Sequence, residues 1–133
     1  KMSKSKNNII NIFQDDNLLE RQIMKIKTDS IAIEKPKNPN NCNVFKIFSM
    51  VADKKNVAVL KKRYTSGNIG FGEAKKILLD EIKNKFKTER DKFNFFINNP
   101  ERVEKELETG SKKAKTFANK VLNRVRLKLG YNK

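Results

Sequence analysis

Apolar residues recur along most of the chain at three- and four-residue steps, and the two-residue alternation of a half-buried strand is sustained nowhere. Near the C-terminus, Ala114, Phe117, Ala118, Val121, Leu122, Val125 and Leu129 fall within an arc of about 140° on a helical projection, which marks one face for burial. Asn99-Pro100 before Glu101 reads as a helix start with proline in the first turn, and Gly110 is expected to bend or break the run that follows. Before it, Ala74, Ile77, Leu78, Ile82, Phe86, Phe93, Phe96 and Ile97 predict one long helix from Glu73 to Asn98. At ~1.5 Å per residue it would be roughly 39 Å long, the spine of the domain. Shorter helices are predicted at Asp16 to Lys27, at Val44 to Ala52 after an Asn43 cap, and at Lys54 to Tyr64 after an Asp53 cap. Residues 31–41, with Pro36, Pro39 and several Asn, read as an extended loop, and residues 66–72, rich in Gly, as a second punctuated stretch. The fold class is all-α: a helical bundle with an irregular N-terminal segment, and with Phe86, Phe93, Phe96 and Phe117 in its core.

The length of 133 residues and the 37% apolar content suit one domain with a modest core. Charge changes the picture more. Lys plus Arg number 31 against 15 Asp plus Glu, a net charge of +16. Residues 1–66 carry 14 basic and 6 acidic side chains, residues 67–109 carry 9 of each, and residues 110–133 carry 8 basic and no acidic ones. Positive charge is thus concentrated at the two ends, and a polyanion is the partner it suits. There is no histidine, which excludes a histidine base, histidine metal ligands and any Ser-His or Cys-His pair within this chain. Cys42 is the only cysteine, so no internal disulfide forms, and a reducing, intracellular compartment is expected. No apolar run approaches the ~20 residues of a membrane span, and no membrane partner or metal site is expected. The first residue, Lys1, reads as the cut end of a longer chain.

Three features carry candidate chemistry. Lys1-Met2-Ser3-Lys4-Ser5 places two ammonium groups and two hydroxyls on a short segment, a group that could neutralise phosphate charge, although five residues from a Lys- and Ser-rich end can equally carry no chemistry. Gly70-Phe71-Gly72 could cradle a phosphate at a helix start, but a tight turn with Phe71 as an anchor and glycines allowing close packing is the plainer reading. The candidate nucleic-acid surface is Lys61, Lys62, Arg63, Lys75 and Lys76, together with Lys112, Lys113, Lys115, Lys120, Arg124 and Arg126 on the last helix. Tyr64, Tyr131 and the Asn residues are the groups that could stack on or bond to unpaired bases. Cys42, with no base near it in sequence, reads as an incidental thiol.

Lys1 to Ser5 spell KMSKS, a signature of class I aminoacyl-tRNA synthetases, and the rest of the chain resembles the C-terminal part of a bacterial tryptophanyl-tRNA synthetase. The resemblance runs through the helix Leu18 to Lys27, Thr28-Asp29-Ser30, Asn43 to Phe48, Tyr64, the turn Gly70 to Lys75, the Lys- and Ala-containing stretch Gly110 to Ala114, and Leu129-Gly130. It implies a 1–14 KMSKS loop and connection followed by a 15–133 α-helical anticodon-recognition domain. It also implies that Lys1, Met2, Ser3, Lys4 and Ser5 contact ATP, with Lys1 and Lys4 catalytic. ATP is then a substrate, with magnesium held mainly by the nucleotide, and the partners are tryptophan, its tRNA and a second subunit in a cytoplasmic homodimer. The family's Rossmann half, with its His-x-Gly-His signature, cannot lie in a chain without histidine. The intact protein would be a tryptophan–tRNA ligase and this segment alone would be inactive. A stand-alone basic helical module that binds RNA without catalysis is the alternative. Residues 43–130, which carry their own apolar faces, are expected to fold independently.

Overall fold

A computed structural model describes residues 9–131 and shows, among them, six α-helices, one 3-10 turn at Pro39–Asn41 and no strand. The helices are α1 (Asp16–Met24), α2 (Asn43–Val51), α3 (Lys54–Ser66), α4 (Phe71–Lys85), α5 (Lys87–Asn98) and α6 (Pro100–Lys128). The all-α expectation holds. The chain divides into two compact units, the first ending at Asp91 and the second beginning at Lys92.

In the first unit, short acidic and amide side chains start the elements. Asp15 accepts from the Asn17 amide at 2.8 Å, Asp53 from Asn56 at 2.7 Å, and Asn38 from Asn40 at 3.0 Å. α2 departs from expectation, since Cys42 and not Asn43 is its N-cap and no side chain caps it. α4 is the central helix: it buries Ala74, Leu78, Leu79 and Ile82 and packs against both α1 and α2, with α3 against α2. α1 supplies Leu19 and Ile23, α2 supplies Val44, Phe45 and Phe48, and α3 supplies Leu60 and Tyr64. Leu19 and Ile23 are fully buried, and each such side chain stabilises the fold by about 1.5–3 kcal/mol. Residues 43–130 would therefore leave behind the part of this core that α1 supplies.

Two sites hold the loop before the 3-10 turn. Lys37 is buried, and its ammonium donates to the carbonyls of Ala32 at 2.8 Å, Ile33 at 3.2 Å and Lys35 at 3.1 Å while lying 5.6 Å from the centre of the Phe71 ring. Gly67 has φ +75°, and a Cβ there would lie 2.3 Å from the Glu34 carbonyl oxygen. Gly67 is thus the glycine that permits close approach. A Cβ on Gly72 would meet nothing within 4 Å, and one on Gly70 would make ordinary contact with Ile33. Phe71 does act as an anchor, edge-on to Tyr64 at 6.4 Å.

The predicted spine is two helices. The run ends at Phe86 (φ −102°, ψ 17°), whose side chain packs against the core of the first unit. In the second unit, α6 passes through Gly110 unbroken for 29 residues. One interior glycine costs a helix about 1 kcal/mol relative to alanine, too little to stop a run flanked by Glu, Lys and Ala. The projected core is also corrected here: Phe93 is 40% exposed, Phe96 48% and Phe117 72%, and the whole apolar face Ala114 to Leu129 is exposed. Periodicity reports which face requires burial and says nothing of what supplies the cover.

Candidate functional site

The candidate surface splits between the units. In the first, Lys61 and Lys62 stand exposed on α3, and Lys76 is exposed on α4. Their neighbours are engaged within the fold. Arg63 is paired with Glu73 at 2.6 Å, joining the end of α3 to the start of α4. The Lys75 ammonium donates to the Met24 carbonyl at 3.0 Å, closing the C-terminal end of α1. Periodicity could not distinguish these two cations from Lys61 and Lys62, because both partners are distant in sequence.

In the second unit, Lys113, Lys115, Lys120, Arg124 and Arg126 are exposed on α6, and Lys112 reaches Glu108 only at 3.8 Å with both side chains largely in water. Such a pair contributes little. The acidic residues of α6 lie in its first turns, beginning with Glu101, and basic Arg126 and Lys128 in its last, an arrangement that complements the helix macrodipole at both ends. From Gly110 onward the helix has no carboxylate, so its cations have no partner within the helix other than Glu108.

Of the candidate base-stacking residues, Tyr64 is fully buried. Its ring is tilted against Phe45 at 5.5 Å and its hydroxyl lies 3.5 Å from the Cys42 thiol. Burial pushes the phenol well above its ordinary value, with the thiol adding to the shift. Tyr64 therefore cannot stack on a base, and Cys42 is its buried companion. Tyr131 is 80% exposed and remains accessible.

One arrangement was not legible in the sequence. Arg90, from α5, bonds the Ile12 carbonyl and the Asp16 carboxylate, and Lys83 pairs with Asp16 at 2.9 Å. The Lys83 hydrogen bond lowers the Asp16 pKa, and the charges of Lys83 and Arg90 reinforce it against a smaller desolvation. These contacts, with Gln22 bonding the Ile9 carbonyl, tie residues 9–16 to α1, α4 and α5. Beside them a cleft of about 690 Å³ is lined by Ile9, Ile10, Leu18, Arg21, Lys25 and Ile47, among others. The loop Lys1, Met2, Ser3, Lys4 and Ser5 lies outside the described residues. Among the described residues, no cluster of three or more acidic or Cys side chains is placed to hold a metal ion, and no helix is long and apolar enough to cross a membrane.

An all-α domain whose last helix is cation-rich and free of carboxylates from Gly110 onward, in a chain that opens on KMSKS, agrees with the resemblance to an aminoacyl-tRNA synthetase. Comparison with known proteins specifies which one. The chain is 39% identical over 131 residues to the tryptophan–tRNA ligase of Campylobacter jejuni, a match to 98% of this chain and 41% of that ligase. It is 45% identical over 120 residues to the ligase of Fusobacterium nucleatum, across 89% of this chain and 36% of the relative. A crystal structure of the Campylobacter jejuni tryptophanyl-tRNA synthetase matches 98% of the chain with a TM-score of 0.90 at 37% identity, and a second one, complexed with ADP and tryptophan, gives 0.91. No protein-family model matches. In sequence and in fold the chain matches the C-terminal part of tryptophan–tRNA ligases. It spans about two fifths of the length of the relatives it matches.

Proposed function

We propose that the chain is the tRNA-binding C-terminal domain of a tryptophan–tRNA ligase, a cytoplasmic homodimer that activates tryptophan with ATP and transfers it to its cognate tRNA. The observation that carries this reading is the match to such ligases over 98% of the chain in both sequence and fold. Within the enzyme, Lys1 and Lys4 neutralise the departing pyrophosphate, and Met2, Ser3 and Ser5 shape the loop around the ATP phosphates. Magnesium arrives on the nucleotide. Tryptophan is held by the portion of the relatives that this chain does not span, so the 133 residues alone do not form the adenylate. Lys61, Lys62, Lys76 and the cations of α6 meet tRNA phosphates, a role that gives affinity without reading sequence. Arg63 and Lys75 contribute in second place, since both already hold helix ends together.

The test is binding of the 133-residue chain to tryptophan tRNA and to an unrelated tRNA at low and moderate salt. Preference for the tryptophan tRNA that survives moderate salt is the expected result. Equal, salt-labile binding would leave the chain a general RNA-binding helical module, the reading that the acid-free end of α6 would favour on its own.

A further inference from the structure

The apolar face of α6 is longer than the sequence marked. Val103, Leu107, Gly110, Ala114, Phe117, Ala118, Val121, Leu122, Val125 and Leu129 all fall within one arc of about 140°, at 100° per residue. From Val103 to Leu129 this stripe runs roughly 39 Å at ~1.5 Å per residue. All ten positions are exposed, with Leu107 at 67% and Phe117 at 72%. A strip of that length and about 10 Å wide presents on the order of 400 Å² of apolar surface, in the range of the largest patch on a folded monomer, which is often a functional one. Cations flank it on both sides: Lys113, Lys120 and Arg124 on one, Lys115 and Arg126 on the other.

We infer that this stripe is the seat of the N-terminal, catalytic portion that the matching ligases carry beyond the aligned region. The inference rests on the functional reading above, and two observations select this occupant. About three fifths of the Campylobacter jejuni ligase lies outside the match, and its crystal structure contains this same fold at a TM-score of 0.90. The strip is about half the ~800 Å² per partner of a stable complex between separate molecules, which a covalently attached domain, present at high effective concentration, does not require. The small residues Gly110, Ala114 and Ala118 let a neighbouring backbone approach along the middle of the strip.

The experiment uses thiol labelling, which the burial of Cys42 makes selective. Val121→Cys places a thiol on the stripe and Asn123→Cys places one on the opposite side of α6. Each is labelled in the 133-residue chain alone and in a fusion with the N-terminal portion of the Campylobacter jejuni ligase, whose tryptophan-dependent pyrophosphate exchange is followed in parallel. At least tenfold slower labelling of Val121→Cys in the fusion, with Asn123→Cys unchanged, is expected. Equal labelling of Val121→Cys in the chain and the fusion overturns the inference, and if that fusion exchanges pyrophosphate the enzymatic reading stands without it. Protection already present in the chain alone overturns it too, light scattering then showing whether a second copy provides it. So does protection by phosphatidylserine vesicles in the absence of any by the N-terminal portion. As a second readout, Leu107→Asp should leave the melting temperature of the chain unchanged and lower that of the fusion by several degrees.

Discussion

Gly67 and Lys37 hold the same loop by opposite means, one by having no side chain and the other by burying a charged one. At Gly67, with φ +75° and the Glu34 oxygen 2.3 Å from where a Cβ would stand, alanine meets both backbone strain and a clash with main chain. Gly67→Ala should cost about 1–3 kcal/mol or more in urea unfolding. Gly72→Ala, in the first turn of α4 with open space around it, should be neutral or stabilise by up to about 1 kcal/mol. Equal effects at the two sites would show that the loop does not press on Gly67. Lys37 has no carboxylate partner in the contacts it makes; its three donors are matched by three carbonyls and the Phe71 ring takes up part of its charge. Lys37→Met keeps the stem and removes the donors, and should destabilise the fold by about 2–3 kcal/mol. Only the first of these residues carried a signal in the sequence, as one glycine in a punctuated stretch. A lysine that turns inward to cap carbonyls two to five residues away looks, in composition, like any solvated lysine.

The short helix α1 carries more of the fold than its nine residues suggest. It brings Leu19 and Ile23 into the core, and its first residue, Asp16, is held by Lys83 and Arg90. A chain starting at residue 43 should therefore melt at least ten degrees lower than the whole, or without a cooperative transition; an unchanged melting temperature would make α1 an accessory. Asp16 also gives the fold an acid dependence. Its folded pKa lies below the ordinary 3.8, so its ion pairs stabilise the fold fully above that value and lose their contribution as the pH falls through the lower folded one. Urea midpoints of Asp16→Asn should fall below those of the parent at pH 6 and converge with them near pH 2. Persistence of the gap at pH 2 would assign it to something other than charge. The existence of the helices was legible because turn residues and three- to four-residue periodicity point the same way in each. The break at Phe86 was not, since an aromatic on the apolar face reads as continuous helix whether or not its ring turns into another core. Nor was the bareness of α6: an amphipathic helix has the same pattern whether its cover lies within the chain or in another part of a longer protein.

Across the whole molecule, the residues assigned to chemistry and those assigned to tRNA affinity are separable by sequence position, and this makes the functional reading open to a divided test in the intact ligase. On the proposed reading, Lys4 belongs to the transition state of activation, where charge grows on the leaving pyrophosphate. A positioned ammonium at such a site is worth roughly 2 to 4 kcal/mol, so Lys4→Ala should slow tryptophan-dependent pyrophosphate exchange by an order of magnitude or more while leaving tRNA binding as it was. Lys61→Ala combined with Lys62→Ala should do the reverse. These exposed cations on α3 have no ion-pair partner among the described residues, so their removal costs the fold little. Each lysine that meets a phosphate should, once replaced, reduce the slope of log affinity against log salt by about one. Exchange would proceed at the parent rate. If the double variant lost exchange as well, α3 would be acting through the active site, and if Lys4→Ala left exchange intact, the KMSKS segment would have no part in the chemistry. Either result would separate the family resemblance, which spans the whole chain, from the residue roles that the resemblance implies.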